Sequence, residues 1–286
     1  MKLITYRLRG AEHVGALTAD GTAVAPLPYP DMNTLIETAS LEELRSAAAA
    51  AETIPMGEVE LLAPIPRPRQ DVICLGMNYL DHAREAAQYD AGAFEKEKPV
   101  AVYFSKRVTE AVAPEGFIES HTDLVERLDY ESELAVILGK TARNIRGEDA
   151  GDYIFGYTIL NDVSARDVQT GHKQWYFGKS LDGFTPMGPC IVTADEISFP
   201  PVLDISCSVN GELRQDSNTS NMIFSCAEIV SYLSQYMTLK PGDMIYSGTP
   251  DGVILGMPDD RKKWLTHGDT IEVTIEGIGT LKNTIA

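Results

Sequence analysis

Residues 128–140, LDYESELAVILGK, place two acidic side chains directly before an uninterrupted apolar run. A short run of this kind is typical of a strand that is buried on both faces. Within a strand, Glu131 and Glu133 would share one face, with about 6.5–7 Å between their positions. Two carboxylates resist burial at that depth unless a cation neutralises them. The alternative is a solvated edge strand on which both glutamates face water.

A third acidic residue follows another apolar strand pattern, in residues 159–167, ILNDVSARD. There, Asp162 would stand at the end of the strand. Glu131, Glu133 and Asp162 together would supply three hard oxygen ligands, which suit Mg²⁺ or Mn²⁺ with water or substrate oxygens at the remaining positions. Neither segment contains histidine or cysteine, which disfavours a zinc site.

Most of the chain from residue 98 to residue 286 has the pattern of strands. Turn or bulge signals at Asn210-Gly211 and at residues 276–279, EGIG, interrupt this pattern, and one clear helix is expected at about residues 226–236. Residues 71–88 predict a buried strand followed by a helix. The expected fold class is therefore α+β and mostly β, a compact mixed-β body with a few helices and long loops.

The first 65 residues predict a small N-terminal module. Short strands surround an Asp20-Gly21 turn, and an Ala-, Leu- and Glu-rich helix is expected at about residues 41–52. The proline-rich segment 64–68 forbids helix and regular strand pairing, so it indicates a linker. We therefore expect two domains, residues 1–65 and residues 70–286.

Composition and charge exclude several classes of partner. The 286-residue chain has 24 Lys+Arg against 42 Asp+Glu, a formal net charge of −18, which argues against nucleic acid or an anionic membrane as the main partner. Its apolar stretches are far shorter than the ~20 residues of a membrane span, and the N-terminus lacks the apolar core of a secretory signal. The cysteines are scattered like core thiols. We expect a cytoplasmic protein.

Six motifs follow one another in order between about residues 70 and 280. They are GMNYLDHAREA at 76–86, LDYESELAVILGK at 128–140, GYTILNDVSARDVQ at 156–169, FGKSLDGFTPMGP at 177–189, VNGELRQ at 209–215 and LKPGDMIYSGTPDGV at 239–253. In these motifs the chain resembles the fumarylacetoacetate hydrolase family, in particular its acylpyruvate hydrolase and oxaloacetate decarboxylase-like branch. The resemblance implies that family's mixed β-sandwich or roll as catalytic domain, an appended smaller module, and assembly as a homodimer.

The resemblance also implies roles for particular residues. By position, Glu131, Glu133 and Asp162 become the metal ligands, in agreement with the cation that these carboxylates need. The histidine and glutamate of the NYxxHxxE segment form a catalytic dyad in the acylpyruvate hydrolase type, and they correspond to His82 and Glu85. Three residues apart on a helix, the two share a face, so Glu85 can orient the imidazole and stabilise its protonated form. The alternative is an ordinary His–Glu pair on a surface helix.

Two cationic residues correspond to cationic residues of the family's active site. Lys179 matches the lysine that can donate to a substrate carbonyl or carboxylate. Arg166 matches an arginine near the metal-bound region. It would either contact the substrate or hold the metal loop through a salt bridge to Asp162 or Asp167.

A Gly-Pro turn and a charged segment complete the site that the resemblance implies. Gly248 and Thr249 lie in a turn whose N–H groups could bind a substrate carboxylate. Ser247 replaces the threonine that is usual in this motif, which we expect to alter the shape of the pocket. Residues 87–99 are charged and contain glycine, consistent with a lid that orders over substrate and excludes water.

The function that the resemblance implies is hydrolytic C–C cleavage of a β-diketo acid of the acylpyruvate or fumarylpyruvate type. A divalent ion, Mg²⁺ or Mn²⁺, would chelate the 2-oxo acid end, and His82 with Glu85 would activate water for attack on the remote carbonyl. Oxaloacetate decarboxylation, isomerisation of a hydroxymuconate-type 2-oxo diacid and hydration of an unsaturated oxo acid use the same enolate chemistry, so they remain alternatives. A non-catalytic binding protein on the same fold is a further alternative.

Overall fold

The computed structural model describes residues 1–86 and 100–286, except for the side chains of Ala83, Glu85 and Ala86. The strands are β1 Lys2–Leu8, β2 Ala11–Leu17, β3 Ala23–Pro26, β4 Ile54–Pro55, β5 Glu60–Leu61, β6 Val72–Gly76, β7 Val102–Lys106, β8 Phe117–Ile118, β9 Leu128–Asp129, β10 Ser132–Leu138, β11 Ile154–Asn161, β12 Ser164–Ala165, β13 Met187–Thr193, β14 Asp204–Val209, β15 Glu212–Asn218, β16 Met244–Tyr246, β17 Thr270–Ile275 and β18 Gly279–Ile285. The α-helices are α1 Met32–Thr38, α2 Leu41–Ala50, α3 Leu80–Ala86, α4 Arg166–Gly171, α5 Tyr176–Lys179 and α6 Cys226–Tyr236. Short 3₁₀ helices cover Met56–Glu58, Gly147–Tyr153, Ala194–Glu196, Thr219–Asn221 and Ile254–Gly256.

Within the described residues the strands form two large sheets and a small ladder. The first sheet has 11 strands in the order β4-β3-β2-β1-β13-β11-β10-β16-β6-β7, with β5 paired to β1. The second has the order β15-β14-β17-β18-β8, and β12 pairs with β9. Strand β16 is parallel to β6 and antiparallel to β10. The mostly β, mixed-sheet α+β class expected from the sequence is confirmed.

Strand β10, which carries the apolar run, lies in the interior of the large sheet. It pairs with β11 on one side and β16 on the other, and all of its residues are buried. Its alternate residues enter two hydrophobic clusters, Leu134 and Val136 in one and Ala135 and Ile137 in the other. Because both faces are covered, apolar side chains are required at consecutive positions. The solvated edge strand considered above is therefore wrong.

The strands of the first 65 residues extend the same sheet. Strand β1 pairs antiparallel with β13, with Lys2 opposite Val192 and Leu3 opposite Ile191. Helices α1 and α2 contribute apolar side chains to one of the two clusters that cover this sheet. The division into domains at residues 65–70 stays a prediction.

Three of the described α-helices, α2, α3 and α6, were expected from the sequence. Helix α6 has the expected bounds, and α2 begins at the capping box formed by Ser40 and Glu43. Helices α1, α4 and α5 were not predicted. They have 7, 6 and 4 residues, which is too short for a helical period to show in the sequence. In the described ranges, no helix has the length and apolar character needed to cross a membrane.

Candidate active site

The three predicted metal ligands meet where β10 begins and β11 ends. Glu133 is the second residue of β10, and Glu131 and Asp162 lie just outside the paired ends of the two strands. All three carboxylates are buried, and one oxygen atom from each lies within 4.8 Å of the others. We call these three residues the acidic cluster. The antiparallel pairing of Ser132 with Asn161 is what brings the two chain segments together.

Hydrogen bonds hold the acidic cluster in place. The N–H of Glu131 donates to the side-chain oxygen of Asn161 at 3.0 Å, and the N–H of Asp162 donates to the carbonyl of Glu131 at 2.8 Å. The N–H of Gly248 donates to Glu133 Oε2 at 2.8 Å. Side chains that are already fixed in this way lose little conformational freedom when they bind an ion.

Two buried lysines contact the acidic cluster. Lys179 Nζ lies 2.7 Å from Glu131 Oε2 and 2.8 Å from Asp162 Oδ2, so the lysine implied by the resemblance does reach the site. Lys106 Nζ lies 2.5 Å from Asp162 Oδ1 and also donates to the carbonyl of Phe184 at 2.7 Å. Lys106 was missed in the sequence. Its one local signal is a lysine at the end of the apolar strand pattern VYFSK.

Arg166 bonds to carboxylates other than those expected. Its Nε donates to Asp129 Oδ2 at 2.8 Å, and its Nη1 lies 2.7 Å from Glu131 Oε1. The expected salt bridge was to Asp162 or Asp167, and that choice of partner is wrong. Strand β12 places the arginine at the start of α4, facing residues 129–131. Within the described part of the chain, Arg166 Nη2 has no hydrogen-bond partner although the side chain is buried.

The acidic cluster has the chemistry that a hard divalent cation such as Mg²⁺ or Mn²⁺ requires. Its donor atoms are all carboxylate oxygens, and they are close enough to share one ion. Burial, together with repulsion from Asp162 and Glu131, raises the pKa of Glu133 well above its usual value. Among the described residues no cationic side chain forms an ion pair with Glu133. The residues therefore fit a cation bound by Glu131, Glu133 and Asp162.

The environment of Glu131 differs from that of Glu133. Burial raises the pKa of Glu131, but the positive charges of Lys179 and Arg166 outweigh burial, and the pKa falls to about 2. His82 contributes to this lowering as well, which places the imidazole near the acidic cluster. Glu131 is therefore ionised at neutral pH even without a metal ion.

Helix α3 carries the predicted dyad. His82 is buried and lines the cavity beside the acidic cluster, whereas the side chain of Glu85 lies outside the described residues, as does the expected lid at 87–99. Just before the helix, the Asn78 side chain donates to the carbonyl of Ser247 at 2.7 Å and to that of Phe224 at 3.0 Å. This amide fixes the start of the histidine-bearing segment.

A cavity of about 270 Å³ adjoins the acidic cluster. Its polar lining residues are His82, Glu131, Arg166, Gln169, Thr170, Lys179 and Thr249. Its remaining lining residues are Leu75, Gly76, Met77, Phe104, Trp175 and Leu255. A Cβ atom on Gly76 would lie 2.2 Å from Trp175 Cζ3, so the indole packs directly on the glycine backbone. The cavity therefore combines cationic groups with an apolar surface.

The backbone N–H of Gly248 was expected to bind a substrate carboxylate. In the structure it donates to the carboxylate of Glu133. The φ of Gly248 is +89°, and a Cβ atom at this position would lie 2.8 Å from the Asn78 Cβ, so both the conformation and the space require glycine. Thr249 does line the cavity, and its hydroxyl accepts a hydrogen bond from Gln215 Nε2 at 2.9 Å.

Comparisons with known proteins agree with this fold and site. Residues 71–286 match the family described as fumarylacetoacetate (FAA) hydrolase C-terminal. The chain is 46% identical over 230 residues to oxaloacetate tautomerase YisK of Bacillus subtilis, covering 80% of this chain and 74% of that protein. Among solved structures, the fumarylacetoacetate hydrolase EaFAH of Exiguobacterium antarcticum is 38% identical with a TM-score of 0.84, covering 100% of this chain and 99% of that one.

An isomerase shares the fold as well. The 5-carboxymethyl-2-hydroxymuconate delta-isomerase of Mycobacterium smegmatis is 30% identical with a TM-score of 0.79, again covering 100% of this chain and 99% of that one. A tautomerase, a hydrolase and an isomerase are thus all similar to this chain. The family match spans most of the sequence and all of the residues of the acidic cluster. The chain therefore belongs to the fumarylacetoacetate hydrolase family of enzymes.

Proposed function

We propose that this protein interconverts the keto and enol forms of a 2-oxo diacid of the oxaloacetate class, with Mg²⁺ or Mn²⁺ as cofactor. The observation that carries this choice among the family's reactions is the 46% identity to an oxaloacetate tautomerase. The cavity chemistry supports it, because two buried cationic side chains, Arg166 and Lys179, line a small volume together with Glu131 of the acidic cluster.

Glu131, Glu133 and Asp162 would hold the divalent ion. When bound, such an ion supplies positive charge that stabilises the negative charge of an enolate. The other charged groups of the site belong to the chain itself. Lys179 has three donors and contacts two of the three ligand carboxylates, so it stands where it can also donate to a substrate oxygen near them.

His82 is the residue that we assign to proton transfer at the carbon next to the 2-oxo group. It lines the same cavity as Glu131 and acts electrostatically on that carboxylate. Imidazole is the side chain most often used for general acid–base catalysis near neutral pH. In a tautomerase, one group that takes the proton from carbon and returns it is sufficient. Glu85, three residues later on the same helix, stays a prediction as the residue that orients His82.

The rest of the cavity would orient the substrate and exclude water. Arg166 lines the cavity, and we assign it to a substrate carboxylate, which guanidinium groups bind well. The wall formed by Phe104, Trp175 and Leu255 presents carbon to the reacting end. An enolate surrounded by such a surface is protected from bulk water.

Ketonisation of enol-oxaloacetate, followed by its ultraviolet absorbance, tests this function. We expect the protein with Mg²⁺ or Mn²⁺ to accelerate the decay well above the buffer rate, and EDTA to remove the acceleration. His82→Ala should lose it, whereas His267→Ala, which changes an exposed histidine, should keep it. A decay that matches the buffer rate with both ions would contradict the proposal.

Hydrolysis of a β-diketo acid of the acylpyruvate or fumarylpyruvate type is the second candidate. The apolar wall of the cavity favours it, because an acyl chain would pack against Phe104, Trp175 and Leu255. Pyruvate release from acylpyruvates and from oxaloacetate, measured with a coupled dehydrogenase, separates hydrolysis and decarboxylation from tautomerisation. Turnover of acylpyruvates without any effect on enol-oxaloacetate would establish the hydrolase instead.

We also propose, from the family resemblance, that the protein acts as a homodimer in the cytoplasm on a small 2-oxo acid. Light scattering at several protein concentrations tests the assembly. A mass near twice 31.2 kDa is expected, and a mass of 31.2 kDa at all concentrations would contradict it.

A further inference from the structure

A buried amide, Gln215 of strand β15, bonds to the residue that separates the two glutamates of the acidic cluster. Gln215 is 1% exposed. Its side-chain oxygen accepts the N–H of Ser132 at 3.1 Å and the hydroxyl of Ser132 at 2.8 Å. Ser132 stands between Glu131 and Glu133 in the chain. Gln215 therefore connects the second sheet to the start of β10, where the acidic cluster lies.

The nitrogen of the same amide bonds to the turn that holds Glu133. Nε2 of Gln215 donates to Thr249 Oγ1 at 2.9 Å and to the carbonyl of Pro250 at 2.8 Å. The residue before Thr249 is Gly248, which donates its N–H to Glu133. A side-chain amide has two N–H donors and two acceptor positions, so the chain itself fills all the hydrogen-bonding positions of Gln215. Gln215 is thus placed to hold two chain segments together rather than to bind a ligand.

The partners of Gln215 permit only one orientation of its amide. A backbone N–H can only donate, so Ser132 requires the amide oxygen on its side. A backbone carbonyl can only accept, so Pro250 requires the amide nitrogen on the other side. A side chain that lacks either a donor or an acceptor therefore cannot connect the two segments.

The shape of strand β15 brings Gln215 to the turn. The pairing of β15 with β14 shifts at Arg214, which stands as an extra residue between the paired residues Leu213 and Gln215, as in a β-bulge. Bulges redirect the side chains beside them. The turn approaches so closely that a Cβ atom on Gly252 would lie 2.0 Å from the carbonyl oxygen of Arg214. The strand and the turn are therefore in direct contact next to the amide.

We infer that Gln215 is a positioning residue for the divalent ion, which fixes the acidic cluster relative to the second sheet. The amide anchors the backbone between Glu131 and Glu133 to the turn that binds Glu133, and it is not one of the described residues that line the cavity. Ligands that are anchored in advance lose less conformational freedom when they bind. The inference rests on the proposed function for the ion site, and it adds a determinant of ion affinity that takes no part in the reaction itself.

Calorimetric titration with Mn²⁺ tests the inference. Gln215→Met keeps an unbranched side chain of similar length but removes all four hydrogen bonds of the amide. We expect its Mn²⁺ affinity to fall by about tenfold, the lower end of the effect of losing an outer partner of a metal ligand. Gln70→Met is the matched control, because Gln70 is exposed and also donates a side-chain hydrogen bond, to Asp243 at 3.0 Å. It should bind Mn²⁺ as the wild type does.

A second control separates positioning from a general loss of stability. Val209→Ala truncates a buried side chain of β14, the strand that pairs with β15, so it lowers stability without removing a contact of the amide. Urea unfolding in EDTA measures the stability of this variant and of Gln215→Met. We expect Val209→Ala to keep the wild-type Mn²⁺ affinity, whereas Gln215→Met should lose affinity whatever its stability.

The contact with Ser132 can be tested by itself. Ser132→Ala removes the hydroxyl donor and leaves the backbone N–H, so the Mn²⁺ affinity should fall by about two- to fivefold, the effect of one neutral hydrogen bond. The double variant should lose no more than Gln215→Met alone, because both changes act through one contact. If Gln215→Met does not fold, Ser132→Ala carries the test, and wild-type affinity there would contradict the inference.

Three results would overturn the inference. They are a Mn²⁺ affinity of Gln215→Met within about twofold of the wild type, an equal loss of affinity in Val209→Ala, and losses that multiply in the double variant. The enol-oxaloacetate assay on the wild type reports separately on the proposed function. Failure of that assay with a Mn²⁺ affinity that depends on Gln215 would reject the reaction and retain the positioning role.

Discussion

The two glutamates of the acidic cluster are two residues apart, yet they differ in their ion pairs. Glu131 has Lys179 and Arg166 each at 2.7 Å, whereas Glu133 accepts the N–H of Gly248 and, in the described part of the chain, forms no ion pair. The pKa of Glu131 falls to about 2, while burial and carboxylate repulsion raise that of Glu133. The protein's own cations therefore balance one side of the cluster, and a divalent ion has most to neutralise on the other.

We expect the largest effect, a loss of Mn²⁺ affinity, from substitution of Asp162. Its oxygens contact Lys106 and Lys179, and it is one of the three carboxylates that we propose hold the ion. Asp162→Ala should weaken Mn²⁺ binding by more than the roughly 100-fold that loss of an outer partner costs. Calorimetry measures the affinity, with Asp269→Asn as a folded control. Retention of wild-type Mn²⁺ affinity would mean that the ion binds elsewhere.

The two glutamates should respond in opposite directions to the same substitution. In EDTA, Glu131→Gln removes one of the two carboxylates that Lys179 and Arg166 each contact, so we expect a loss of about 1–3 kcal/mol in the free energy of unfolding. Glu133→Gln removes repulsion, so stability should stay the same or rise. Urea unfolding measures both. Equal destabilisation by the two variants would contradict the claim that Glu131 and Glu133 contribute differently to stability.

A smaller effect is expected at the backbone that holds Glu133. Gly248→Ala forces an alanine to φ +89° and places its Cβ 2.8 Å from that of Asn78, so stability should fall by about 1–3 kcal/mol. The matched control is Gly211→Ala, because φ there is +79° and a Cβ would meet no atom within 4 Å. The excess loss in Gly248→Ala over the control measures crowding at the turn. No excess would show that the close approach relaxes freely.

The pH dependence of stability should show the smallest effect. A raised pKa means that folded Glu133 holds its proton more tightly than the unfolded chain does, so stability falls as pH rises above 4.5 through the folded pKa. The lowered pKa of Glu131 acts only below that range, down to about 2. In EDTA, wild-type protein should lose stability relative to Glu133→Gln as the pH rises above 4.5. Parallel stability curves for the two proteins would contradict this assignment.

The sequence was sufficient for the acidic cluster and, through the resemblance, for Lys179 and Arg166, but it was insufficient for Lys106. Glu131, Glu133 and Asp162 stand next to apolar runs, and this pattern predicted that their carboxylates lie close together. The apolar run of β10 predicted a buried strand. Lys106 was missed because nothing next to it in the chain distinguishes a buried lysine from a solvated one at a strand end. Its partner Asp162 is 56 residues away. Asp129 was missed for a similar reason, because Ile254 and Leu255 reach it from 125 and 126 residues away.

The side-chain amide of Asn78 links the turn that binds Glu133 to helix α3. It bonds to the carbonyl of Ser247, and the next residue, Gly248, holds Glu133, while helix α3 with His82 begins shortly after Asn78 itself. The helix that carries His82 and the turn that binds Glu133 are thus both connected to Asn78. In the function proposed above, an occupant of the cavity that shifts α3 would therefore affect the binding of the ion and the position of His82 together.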